Sequence, residues 1–148
     1  MGGGRPLDHA FRVEAVSAER RISVVVADDH PLYRDGLVRA IATAADLELL
    51  GEAADGDEAE RLIAELRPDV ALVDVKMPVL GGVELCERLA QHGSTTRVVM
   101  ISAYLDPNLV ARALRAGAAG YLGKDASREE ICEALVDVGR RVVAAQVP

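Results

Sequence analysis

A five-stranded, doubly wound parallel α/β sheet is the fold predicted for this chain, and three observations predict it. A short apolar run, a turn and a helical pattern recur five times between residues 22 and 143. The apolar runs show little strict alternation, which suits strands covered on both faces. The length of 148 residues, half of them apolar, is enough for one domain with a sizeable core. Only Phe11, Tyr33, Tyr104 and Tyr121 are aromatic, so that core must be built from Ala, Val, Leu and Ile.

The elements follow in order. The first strand is Ile22–Ala27, and Pro31 is well placed as the first residue of a helix that puts Tyr33, Leu37, Ile41 and Ala44 on one face. After the second strand, Leu47–Ala53, an i, i+3, i+4, i+7 set appears at Ala59, Leu62, Ile63 and Leu66. Residues 69–75 form the third strand, followed by Gly82, Leu85, Cys86 and Leu89 at the same spacing. Arg97–Ser102 is the fourth, with Val110, Ala113, Leu114 and Gly117 behind it. Gly120–Gly123 is the fifth, and Ile131, Ala134, Leu135 and Val138 complete the pattern. Strands alternating with helices imply right-handed crossovers and helices on both faces of the sheet. Residues 1–20, glycine-rich and then weakly periodic, are expected to be a flexible N-terminal arm, leaving 21–139 as the domain.

Composition excludes several classes. A net charge of −7 is the wrong sign for a chain that holds nucleic acid directly. Cys86 and Cys132 are too few for a disulfide scaffold and lack metal-type spacing, so both are expected reduced. No apolar run approaches the roughly 18 residues of a membrane span, and the N-terminus lacks a signal-peptide core. A soluble, cytoplasmic protein with no membrane contact is expected.

Function in such sheets lies at the carboxyl ends of the strands. The first strand ends in Ala27-Asp28-Asp29-His30-Pro31 and the third in Asp74-Val75-Lys76-Met77-Pro78. The fourth ends in Ile101-Ser102-Ala103 and the fifth in Tyr121-Leu122-Gly123-Lys124-Asp125. Converging carboxylates repel unless a cation compensates them, and oxygen-only ligands select a hard ion such as Mg²⁺. Lys124 can neutralise an incoming phosphoryl group and Ser102 can hydrogen-bond it. Asp74 stands alone at the end of a central strand and is the natural nucleophile for an acyl phosphate, while the Asp28–Asp29 pair suits the metal. His30 reads as structural, at the start of the first helix.

The segments ADDHP, LVDVKMPVLGG, ISA and AGYLGKD resemble those of response-regulator receiver domains, and most closely the NarL/FixJ group with LuxR-type effectors. The resemblance covers residues 21–143. It implies a flavodoxin-like sheet of order 2-1-3-4-5 and phosphorylation of Asp74 by a sensor histidine kinase in a Mg²⁺-dependent step. It further implies Asp29 as a direct metal ligand and Asp28 acting mainly through water. The backbone carbonyl of Lys76 would complete the metal site beside Asp74, and Lys124 would contact the phosphoryl group. Ser102 and Tyr121 occupy the switch hydroxyl and switch aromatic positions. Their rearrangement is expected to bias a face of the fourth helix, fifth strand and fifth helix; homodimerisation is expected through either the first and fifth helices or the fourth and fifth.

Three departures stand out: Ser102 where threonine is commoner, no aspartate in Val79-Leu80-Gly81-Gly82, and Gly123 before the lysine. Residues 140–148 are expected to begin a linker to a DNA-binding effector, so that DNA would be reached only through that effector; a stand-alone regulator is the alternative. Two other readings are a degenerate receiver acting only by protein contacts and an aspartate-nucleophile phosphatase. The phosphatase is disfavoured because Lys76 stands where a second acid is needed, two residues after Asp74. A phosphoacceptor signalling domain rather than an enzyme is expected.

Overall fold

The structure, a computed structural model, describes residues 20–146. The apolar runs become β1 (Ile22–Ala27), β2 (Leu47–Ala53), β3 (Val70–Asp74), β4 (Arg97–Ser102) and β5 (Gly120–Gly123). All pair in parallel in the order β2-β1-β3-β4-β5. The helices are α1 (Pro31–Thr43), α2 (Gly56–Leu66), α3 (Gly82–Gln91), α4 (Pro107–Arg115) and α5 (Arg128–Gln146). The fold expected from the sequence is the fold observed.

Successive residues of β1 show why polarity does not alternate along the strands. Val25 and Ala27 pack with Ala59, Ile63, Leu85 and Ala113, on the side of α2, α3 and α4. Val24 and Val26 pack with Leu37, Ile41, Ile131 and Leu135, on the side of α1 and α5. Each large aliphatic side chain so buried contributes about 1.5–3 kcal/mol. β1 and β3, central and buried at every position, are the rigid elements that end in the acidic residues.

Several boundaries differ from the sequence reading. Asp69 lies just before β3, where its carboxylate accepts from the Ser23 backbone N–H (2.9 Å) and hydroxyl (3.1 Å) and from Arg20. Arg20 is the last residue of the expected arm; residues 1–19 of that arm lie outside the described residues. On α4 the buried stripe is Ala113 with Leu109 and Ala116 packed behind it, so Leu114 is 53% exposed and Gly117 lies beyond the helix. Helix α5 continues past Gly139 to Gln146, with Val142 and Val143 buried. Gly139 marks a close approach there rather than a break, because a side chain would collide with Ile22. Residues 140–146, expected to begin a linker, therefore continue the helix, with Val142 and Val143 packed against the domain. No helix among the described residues is long and apolar enough to cross a membrane.

Helix α5 starts in a capping box: Ser127 Oγ accepts from the Glu130 N–H (3.0 Å), and Glu130 Oε1 accepts from the Ser127 N–H (2.9 Å). Hydrogen bonds from the Ser127 backbone N–H and hydroxyl hold the Glu130 carboxyl below its usual value. Its contribution is thus present above the ordinary carboxylate pKa and lost as pH falls through the lowered value. Ser127→Ala is expected to lower the unfolding free energy by about 1 kcal/mol in a urea titration at neutral pH.

Candidate functional site

Four charged side chains meet at the carboxyl edge of the sheet. The turn after β1 carries Asp28 and Asp29, β3 ends in Asp74, and the turn after β5 carries Lys124. The Lys124 ammonium lies 2.9 Å from Asp28 Oδ2 and 3.1 Å from Asp74 Oδ2. Both carboxylates are buried. Burial pushes the Asp74 pKa up, the Lys124 hydrogen bond opposes the rise, and the Asp28 charge adds to it. Burial alone would lower the Lys124 pKa, but the two carboxylates outweigh it and hold the ammonium above the usual lysine value.

Backbone contacts fix these side chains. Asp28 Oδ1 accepts from the His30 N–H at 2.7 Å, and Asp74 Oδ1 accepts from the Lys76 N–H at 3.3 Å. The Gly82 N–H donates to the Val75 carbonyl at 2.9 Å, and a Cβ on Gly82 would lie 2.6 Å from the Asp74 carbonyl oxygen. Only glycine lets α3 start so close to the end of β3. The Lys124 N–H donates to the Ser102 carbonyl at 2.8 Å, which ties the lysine turn to β4.

The residues fit a divalent cation. Asp28, Asp29 and Asp74 offer oxygens within 4.8 Å of one another. Three carboxylates against one ammonium leave a surplus of two negative charges. Asp29 Oδ1 is buried with no hydrogen-bond donor among the described residues. An oxygen set of this kind suits Mg²⁺. Lys76 lines the same surface depression as Asp29, a cavity of about 610 Å³.

Two residues in this cluster were not assigned to it from sequence. His30 Nδ1 lies 3.2 Å from both Asp28 Oδ1 and Asp29 Oδ1, 3.6 Å from Asp74 Oδ2 and 3.1 Å from Lys124 Nζ. Its imidazole makes no capping bond to α1. The available signal was its place directly after the aspartate pair. Tyr33, one helical turn further on, has Lys124 Nζ and Arg128 Cζ each 4.6 Å from its ring centroid, in cation–π range.

Ser102 is buried, and its Oγ accepts from the Tyr104 N–H at 3.1 Å. Tyr121 is half-buried, and its hydroxyl donates to the Tyr104 carbonyl at 3.2 Å. Both expected switch positions are thus bonded to one residue, whose ring lies 5.2 Å from Lys76 Nζ.

A parallel doubly wound sheet with an acidic edge pocket bridged by one lysine defines a small class of proteins, and the comparisons name it. Residues 24–136 match the family described as response regulator receiver domain, and the chain belongs to that family. It is of the NarL/LuxR type. It is 45% identical over 126 residues to "Probable transcriptional regulatory protein NarL" of Mycobacterium tuberculosis, covering 84% of this chain and 58% of that protein. Response regulator GacA of Pseudomonas aeruginosa is 38% identical over 128 residues, 85% of this chain and 60% of that protein. The chain therefore spans less than two thirds of these curated relatives. The solved signal receiver domain of NarL from Mycobacterium tuberculosis superposes with a TM-score of 0.80 at 43% identity, covering 82% of this chain and 98% of that one. A LuxR-family DNA-binding response regulator from Staphylococcus aureus gives 0.77 at 26% identity, over 80% and 98%. Phosphorylation and conformational switching are the standard role of this family. Response regulators are phosphorylated by histidine kinases, and receiver domains bind Mg²⁺ at an acidic cluster.

The loop after β3 carries a strained residue. Val79 has φ 71°, a left-handed conformation that a β-branched side chain resists, and it is 78% exposed. Val79→Gly is expected to raise stability by about 1 kcal/mol, read as a shift of the urea midpoint with an unchanged slope.

Proposed function

We propose that Asp74 is the phosphoacceptor of this receiver and that Asp28, Asp29, Asp74 and the Lys76 carbonyl hold its Mg²⁺. The observation that carries this is the Lys124 ammonium set between the buried Asp28 and Asp74 carboxylates, beside the unpartnered Asp29 oxygen. An Asp74 oxygen attacks the phosphorus of a kinase phosphohistidine. The new P–O bond forms as the P–N bond breaks, and the electron pair leaves with the donor imidazole. Mg²⁺, when bound, supplies charge neutralisation for the phosphoryl oxygens. Lys124 transfers its contact from the free Asp74 carboxylate to the phosphoryl group, keeping the charge balanced.

The added group brings about two negative charges and three acceptor oxygens. Ser102 Oγ turns toward them, and the Tyr121 ring follows into the space released. Exposed Tyr104, Leu105 and Leu114 lie on the loop and helix that this movement reaches, and they support a contact face there for dimerisation. The names of the relatives, transcriptional regulators longer than this chain, and of a LuxR-family DNA-binding regulator of the same fold support control of a LuxR-type DNA-binding domain as the output.

Intact mass after incubation with acetyl phosphate and Mg²⁺ tests the reading. Wild type is expected to gain one phosphoryl group and Asp74→Asn none, with an unchanged circular dichroism spectrum. An adduct of equal yield on Asp74→Asn would overturn the assignment. Lys124→Ala is expected to keep Mg²⁺ affinity within a few-fold in calorimetry while the phosphorylation rate falls about tenfold or more. Equal rates would remove Lys124 from the mechanism.

A further inference from the structure

We propose that His30 makes this a mixed nitrogen–oxygen site, which takes a borderline first-row divalent ion such as Mn²⁺ through His30 Nδ1 as well as a hard ion through oxygens alone. The proposal deepens the metal assignment above and rests on it for the roles of Asp28 and Asp29.

The donor atoms divide into two sets. Lys124 takes the Oδ2 atoms of Asp28 and Asp74, at 2.9 and 3.1 Å. Asp28 Oδ1, Asp29 Oδ1 and His30 Nδ1 form the other set, with the nitrogen 3.2 Å from each oxygen. Adjacent ligands of an octahedral ion with bonds of about 2.1 Å lie about 3 Å apart, so the imidazole already stands at ligand spacing. Lys124 Nζ is 3.1 Å from the same nitrogen, a contact that an ion on Nδ1 would replace.

Two further observations point to a ligand. Asp29 Oδ1 is a buried atom with no hydrogen-bond partner among the described residues, whereas Asp28 Oδ2 is held by the Lys124 ammonium at 2.9 Å. The imidazole itself is free of helix duty. His30 is the N-cap residue of α1 yet its ring makes no capping bond, while its backbone is held by Asp28 on one side and by the Arg34 N–H on its carbonyl at 2.9 Å. A rigid turn therefore presents a ring whose hydrogen bonds, to Asp28 Oδ1 at 3.2 Å and Lys124 Nζ at 3.1 Å, both lie within the acidic cluster.

The chemistry follows from donor type. Carboxylate and water suit Mg²⁺ and Mn²⁺, whereas imidazole adds affinity for the transition ions and little for Mg²⁺. His30 thus raises Mn²⁺ over Mg²⁺ in a site that the three aspartates alone would leave to hard ions.

The test uses the full chain with Mn²⁺ and Mg²⁺ as separate probes, in wild type and His30→Ala. Pulsed electron paramagnetic resonance of bound Mn²⁺ is expected to show coupling to a directly bound ¹⁴N in wild type and to lose it in the variant. Calorimetry is expected to show Mn²⁺ affinity falling about tenfold in His30→Ala, with Mg²⁺ changed by less than about threefold. Bound Mn²⁺ without ¹⁴N coupling, or coupling that survives in His30→Ala, overturns the role of His30 while leaving the aspartate site standing. Failure of wild type to bind either ion overturns both readings. Circular dichroism of the variant checks that α1 still forms.

Discussion

The ammonium of Lys124 sits between two buried carboxylates that arrive on different strands, and the carboxyl edge is organised around it. Removing solvent from Asp28 and Asp74 costs several kcal/mol for each ion unless a cation stands close by. Lys124 supplies that cation from the turn after β5, a four-residue edge strand with no fully buried position. The weakest strand is thereby fastened to the two strongest. The tie also sets the local charge: one ammonium cannot balance three carboxylates, and the shortfall of positive charge is one that a divalent ion would offset.

The remainder of the fold delivers side chains to that edge at fixed height. β1, β3 and β4 run parallel, with Ala27 opposite Val73 and Asp74 opposite Ile101, so their ends come level within a residue or two. Helices on both faces keep these strands dry, and a dry strand end is a poor place for an unpaired charge. Gly82 completes the arrangement by letting α3 begin against the Asp74 backbone, which leaves no room for the third strand to shift.

Most of the fold was legible because doubly covered parallel strands leave continuous apolar runs, and four of the five strand ranges coincide with those runs. What sequence periodicity did not resolve was phase and local competition. On α4 a stripe through Leu114 and one through Leu109 both satisfy helical spacing, and Ala113 belongs to each; packing against the sheet selects the second. Asp69 looked like strand because it adjoins Val70, but its carboxylate is engaged by Ser23 and Arg20, which residue spacing cannot show. A linker is expected from residue 140, whereas α5 runs on to Gln146 and the missing side chain of Gly139 admits Ile22. The aspartates, Ser102 and Lys124 were found because each ends a strand at the same edge. Tyr33 contacts Lys124 and Arg128 across the mouth of the sheet, at a separation that no local pattern encodes, while His30 beside the aspartates reads equally as a helix start.

Tyr104 gives its N–H to Ser102 and its carbonyl to Tyr121, so one peptide unit on either side of a single residue is clasped by both proposed switch positions. Two such bonds are worth about 1 kcal/mol each, and releasing them together would alter the balance between a held and a released loop by about thirtyfold. That factor bounds the contrast this clasp alone can give a binding partner. A larger response would have to draw the difference from the apolar surface at Leu105 and Leu114. On the proposed reading, the volume of the signal is then governed by what docks on the loop, and its trigger by what happens at Asp74.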